Sequence, residues 1–104
     1  MSYETTPGRL DQAIVRPGTD IVASMAEAFK EDLLSAINST DGDIVIDLEG
    51  VEMVDSVGIG VIIASHNTLN QAARNLKVMN VTKGVYGLFT VMGLHRRFLV
   101  EGVG

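Results

Sequence analysis

Asp55 and Ser56 stand where an apolar, strand-like stretch gives way to a helix-like one, and no other residues of this sequence are better placed for chemistry. The pattern predicts Ser56 at the cap of a helix that runs to about Asn75. A serine there holds its hydroxyl beside backbone N–H groups without intrahelical partners, at the positive end of the helix dipole. Two roles fit. The hydroxyl can cap the helix, or it can carry a phosphate held by the same N–H groups. The local chemistry alone favours the cap, a common task of serine at this position. Gly58 and Gly60 follow directly, and each costs about 1 kcal/mol relative to alanine in a helix interior, less near the first turn. Two glycines so close together imply a close approach of another backbone.

No catalytic constellation accompanies this serine. Val54 stands where a nucleophile elbow needs glycine. Gly58-Ile59-Gly60 is half a dinucleotide fingerprint, with Ile63 at the third glycine position. No Walker-type Gly-Lys-Ser/Thr occurs. Of the two histidines, His66 lies ten residues past Ser56, about 15 Å along a helix and out of reach as a base. Both histidines read as surface or satisfied residues. There is no cysteine, so disulfides and thiolate chemistry are excluded, and the scattered carboxylates do not cluster as metal ligands. The sequence therefore implies no catalytic residue, no metal and no cofactor.

The elements that must position Ser56 follow from periodicity. Residues 1–11 are polar and aperiodic, a flexible lead-in, and residues 12–104 form one domain. Gln12 to Arg16 reads as a strand, Pro17-Gly18 as a turn, and Thr19 to Ala23 as a second short strand. Ser24-Met25-Ala26-Glu27 has capping-box spacing for a first helix whose core stripe is Met25, Phe29, Leu33 and Ile37, widened by Ala26, Leu34 and Ala36. Asp43 to Leu48 reads as a central strand covered on both faces. The first half of the Ser56 helix is apolar nearly all round and should be deeply packed; its second half has Leu69 and Ala73 inside. Leu76 to Val81 reads as a strand, and Thr82 caps a third helix with Val85, Leu88, Phe89 and Met92 inward and Gly93 as its stop. Arg97 to Val100 reads as a last strand. Alternation of this kind implies an α/β fold with helical crossovers.

The chain has 104 residues and is 46% hydrophobic, enough for one core. Its net charge of −5 is uneven. Residues 1–52 hold eleven acids and three bases, whereas residues 53–104 hold two acids and five bases. Glu31 to Ala73 contains no lysine or arginine. Such a surface repels nucleic acid and would attract a basic protein partner, although a plain solvated face is the simpler reading. No apolar run is long enough to span a membrane, and the amino terminus lacks a signal-peptide pattern, so the expectation is a soluble, intracellular, cytoplasmic protein.

Asp43-Ile44-Val45-Ile46-Asp47-Leu48, Val51, and Val54-Asp55-Ser56-Val57-Gly58-Ile59-Gly60-Val61-Ile62 together resemble the STAS domain, the family of bacterial anti-sigma-factor antagonists and sulfate-transporter tails. Pro17-Gly18-Thr19-Asp20 is similar to the turn before that family's first helix, and the resemblance covers about residues 12–101. It implies a small, mixed, mostly parallel sheet packed by helices. It also implies that Ser56 occupies the place of the serine phosphorylated by a kinase that is itself the anti-sigma factor. Asp55 and Gly58 match the flanking aspartate and glycine, and Val57 replaces a frequent second serine. The implied partner surface is Asp20, Asp55, Ser56, Val57 and Gly58. The implied partners are an anti-sigma-factor serine kinase and a phosphatase acting on Ser56, with no nucleic acid and no membrane, in transcription-regulating signalling. A non-phosphorylated signalling adaptor or a ligand-sensing module on the same fold is the alternative, and a small enzyme is a third.

Overall fold

The structure, a computed structural model, describes residues 3–5 and 12–102, with side chains from residue 12 onward. The order is β1 (Tyr3–Thr5), β2 (Gln12–Val15), α1 (Ala23–Ser39), β3 (Asp43–Asp47), α2 (Ser56–Gln71), β4 (Leu76–Val81), α3 (Lys83–Val91), a 3-10 turn (Leu94–Arg96) and β5 (Leu99–Gly102). The five strands pair in chain order. β1 is antiparallel to β2, and every later pair is parallel. Each crossover therefore steps the same way, and right-handed crossovers that step the same way lay their helices on one face of the sheet. Ala13, Val15, Ile44, Ile46, Leu76, Val78 and Val100 alternate onto that face, and all are buried. Phe29 and Leu33 of α1, Ile59 and Ile62 of α2, and Val85 and Phe89 of α3 complete the same cluster.

The mixed, mostly parallel α/β sheet agrees with the sequence, while several local expectations change. Three residues of the expected lead-in, Tyr3–Thr5, form the antiparallel edge strand β1, and the rest of that segment lies outside the described residues. Thr19 to Ala23 is no strand. Only Ile21 makes an isolated bridge, to Val54. The Ser24 capping box does not form, because α1 already starts at Ala23 and Val22 at its N-cap makes no side-chain bond. Leu34 is 44% exposed, while Leu88 and Met92 also face outward, so these helices present narrower core stripes than the apolar count suggests. The last strand begins two residues late, at Leu99, because the 3-10 turn at Leu94–Arg96 takes up the chain after Gly93.

α2 stops at Gln71, short of Asn75. Ala73 adopts a left-handed φ of 58°. Arg74 N–H donates to Leu69 O at 2.8 Å and Ala73 N–H to Asn70 O at 3.1 Å, the paired bonds of a Schellman stop. The sequence hides this ending because alanine, not glycine, holds the left-handed position. Ala73 is accordingly exposed rather than inward. Ala73→Gly should raise stability by about 1 kcal/mol, the cost of the left-handed Cβ, seen as a higher urea midpoint at unchanged slope. Arg74 then reaches back to α1. Its guanidinium donates to Ile37 O, Thr40 O and Gly42 O at 3.1, 2.8 and 2.8 Å, satisfying carbonyls that the helix end and its loop leave unpaired.

Candidate functional site

All strands from β2 onward point their carboxyl ends the same way, so the chain leaving β3 and the segment before α1 meet at one end of the sheet. Leu48 and Val51 are fully buried there and Val54 nearly so, which pins the connection while Glu52 and Met53 between them face out. The segment before α1 runs alongside. Ile21 N–H donates to Met53 O at 2.9 Å and Asp55 N–H to Ile21 O at 3.1 Å.

Two carboxylates lock this junction. Asp20 Oδ1 accepts from Glu52 and Met53 N–H at 2.9 and 3.1 Å. Asp55 Oδ1 accepts from Val57 and Gly58 N–H, both at 3.0 Å, and its Oδ2 accepts from Ala23 N–H at 2.9 Å. Asp55 thus caps both helices, α2 as its own N-cap and α1 from 32 residues away. The Gly58 N–H, aided by those of Ala23 and Val57 and only partly opposed by desolvation, holds this carboxyl below the usual range, so it is ionised.

The cap is therefore Asp55, and Ser56 is the first residue of the helix. The expectation that Ser56 caps α2 is corrected, and its physical reason is the carboxylate one residue earlier, which takes both first-turn N–H groups. The same bonds remove the idea that those N–H groups would hold a phosphate, since those of Val57 and Gly58 are occupied. Ser56 is exposed. Near it in the chain, Met53 is 56% and Val57 47% exposed, so apolar surface accompanies the serine on this segment. The sequence drew attention to Val57 but not Met53; the signal was buried Val51 and Val54, which force the two residues between them outward.

Gly58 is buried against the segment before α1. A Cβ there would lie 2.7 Å from Ile21 O, 2.8 Å from Ile21 Cγ2 and 3.0 Å from Val54 Cγ1. Gly60 is different: a Cβ would meet nothing within 4 Å, so the close approach expected of both glycines belongs to Gly58 alone.

Several acids of the base-free stretch serve the fold. Asp47, 8% exposed at the end of β3, accepts from Arg16 Nε at 3.0 Å, Asn80 Nδ2 at 2.9 Å and Glu49 N–H at 3.0 Å. Asp43 accepts from Asn75 N–H at 3.1 Å and lies 3.5 Å from the Lys77 ammonium. With Asp55, these acids are turned to backbone and side-chain donors, not offered as one acidic face. Burial pushes the Asp47 carboxyl up, but the Asn80 amide, the Glu49 N–H and the Arg16 guanidinium together outweigh it and leave it below its ordinary value of 3.8. A carboxyl lowered on folding adds stability above its unfolded pKa and loses it as pH falls through the folded value. Asp47→Asn should therefore cost about 1–3 kcal/mol at pH 7, and progressively less as pH falls below 3.8 through the lowered folded value, where the wild type loses the same contribution. Urea unfolding across that range measures the difference.

The histidines fall outside this site. His66 leans on Phe98 with ring centroids 5.3 Å apart, and its Nδ1 is buried without a hydrogen-bond partner among the described residues, so it is not the satisfied histidine the sequence suggested. His95 is exposed. Among the described residues no group of three or more His, Asp or Glu is placed to hold a metal, and no helix is long and apolar enough to cross a membrane.

The STAS domain family model matches residues 3–102. The chain belongs to the STAS domain family. Among solved structures, a STAS-domain protein from Planctomyces limnophilus aligns with a TM-score of 0.80 at 14% identity, over 100% of this chain and 92% of that one. An anti-sigma factor antagonist from Mycobacterium paratuberculosis aligns at 0.77 and 22% identity, over 96% and 86%. The Bacillus cell fate determinant SpoIIAA in its phosphorylated form aligns at 0.68 and 17% identity, over 95% and 90%. At these identities the likeness is one of fold. A search of curated proteins gives no match.

Proposed function

We propose that this STAS domain is an anti-sigma-factor antagonist, acting by binding and carrying out no chemistry of its own. It binds an anti-sigma-factor serine kinase through the surface at the start of α2, which frees the sigma factor. Phosphorylation of Ser56 ends that binding, and a phosphatase restores it. The observation that carries this reading is the exposed Ser56, with exposed Met53 and Val57 near it in the chain, on a junction clamped by Asp20 and Asp55. A clamped, partly apolar surface that carries a hydroxyl suits an interface that a single charged group can disrupt. Of the expected partner-contacting residues, Ser56 and Val57 supply the contact surface. Asp20, Asp55 and Gly58 hold it in shape. Family membership supports the reading, as does the fold likeness to an anti-sigma factor antagonist from Mycobacterium paratuberculosis and to SpoIIAA, itself described as an anti-sigma factor antagonist and solved in a phosphorylated form.

The test is recovery of partners from native lysate by wild type and Ser56→Asp in parallel, followed by incubation with ATP and mass spectrometry of the recovered complex. Wild type should retain an ATPase of the kinase type that Ser56→Asp does not, and ATP should place phosphate on Ser56. Equal recovery by both proteins, or phosphate on other residues only, would refute the switch.

A further inference from the structure

α1 and α2 lie side by side on the sheet, yet an open groove of about 450 Å³ runs between their outer flanks. That volume falls in the range of small-molecule sites, roughly 300–1,000 Å³. Its walls are apolar: Leu34 from α1, with Val57, Val61 and Ala64 from α2. Gly60 lies between them without a side chain, and a Cβ added there would meet nothing within 4 Å, so the glycine widens the groove instead of serving the packing. Three polar side chains break the apolar lining, of which Thr68 already donates its hydroxyl to Ala64 O at 3.1 Å. Ser65 is 8% exposed and borders the groove, and its hydroxyl has no hydrogen-bond partner among the described residues. The hydroxyl oxygen is not sealed from solvent, so it opens on the groove and is available to donate to an occupant. Lys30 is the one charged residue of the lining.

We infer that this groove is a binding site for a single-chain amphiphile with an anionic head, of the chemistry of a medium-chain fatty acid. The alkyl chain would cover Leu34, Val57 and Val61, which otherwise expose apolar surface to water. The carboxylate accepts from Lys30 and from the Ser65 hydroxyl, which are the two donors the lining leaves unused. The occupant would lie against Val57, next to Ser56, but the binding site itself does not depend on Ser56 being phosphorylated or on any protein partner.

The experiment is titration of the 15N-labelled domain with dodecanoate below its critical micelle concentration, with dodecanol and butyrate in parallel. Dodecanoate should give saturable shift changes confined to residues around Leu34, Val57, Gly60 and Ser65, and butyrate none. Gly60→Leu should weaken dodecanoate at least about tenfold, because its side chain fills the space the alkyl chain needs. Ala64→Leu is the second filler should Gly60→Leu not fold, and a melting curve reports the fold of each. Lys30→Gln should weaken dodecanoate by about two- to fivefold, the worth of one exposed ion pair, and leave dodecanol unchanged. Shifts scattered over the surface without saturation, or filled-groove variants that bind as wild type does, would overturn the site. Equal effects of Lys30→Gln on both ligands would overturn the anionic head. Each of these outcomes is independent of whether Ser56 is a switch.

Discussion

Gly58→Val should cost about 3–5 kcal/mol, a large share of the 5–15 kcal/mol typical of a folded domain. The Cβ alone would stand 2.7 Å from the Ile21 carbonyl oxygen, and backbone cannot rotate out of the way as a side-chain tip can. Relief requires the segment before α1 to move off α2. That movement breaks the Asp55 N–H to Ile21 O bond and pulls Ala23 N–H from the Asp55 carboxylate, so the damage spreads to the starts of both helices. Gly58→Ala is the sharper test. Helix propensity alone predicts a gain of about 1 kcal/mol for alanine, whereas the clash predicts a loss of about 1–3 kcal/mol. The sign therefore decides. Gly60→Ala is the control and should gain up to about 1 kcal/mol, since nothing crowds its Cβ. Urea unfolding followed by circular dichroism measures all three. A Gly58→Ala protein as stable as wild type would show that the approach of Ile21 does not need glycine.

Phosphate on Ser56 should lower affinity for the proposed kinase partner by about 30- to 1,000-fold, a loss of roughly 2–4 kcal/mol for burying a dianion imperfectly paired. The local geometry makes the penalty fall on the complex and not on the fold. Ser56 is exposed, so the phosphate stands in water in the free domain. The first-turn N–H groups of Val57 and Gly58 are committed to Asp55, so the phosphate cannot be neutralised there, and it stands beside a carboxylate that is itself ionised. An interface closing over Met53 and Val57 would have to desolvate this doubled negative charge. Ser56→Ala should bind constitutively, and Ser56→Asp weakly, with melting temperatures near wild type for both. Calorimetry against the purified partner gives the affinities. Indistinguishable affinities for the alanine and aspartate variants would leave Ser56 without a regulatory role.

Both predictions turn on contacts whose partners the sequence did not name. It expected a close backbone approach at Gly58 and Gly60, and the structure brings Ile21 against Gly58 alone. It gave the helix cap to Ser56, because serine is a common capping residue, yet aspartate caps as well and stood one position earlier. The acid-rich stretch read as a solvated face, and three of its aspartates, Asp43, Asp47 and Asp55, prove to be hydrogen-bond acceptors within the fold.

What the sequence determined by itself is the alternation of strands and helices from β2 through α3. The four-residue recurrence of Phe29, Leu33 and Ile37, the apolar Ile44–Ile46 run, the whole of β4 and the Thr82 cap of α3 are legible because short-range period and capping fix them. The junction that shapes the candidate site was decided only by the tertiary structure. Asp20 meets Met53 33 residues on, and Asp55 meets Ala23 across 32 residues. Each pair is separated by a full strand–helix crossover, and parallel pairing is what returns such distant segments to the same end of the sheet. No local pattern records that return, so the type of each residue could be read in advance, while the partner that gives it a role could not.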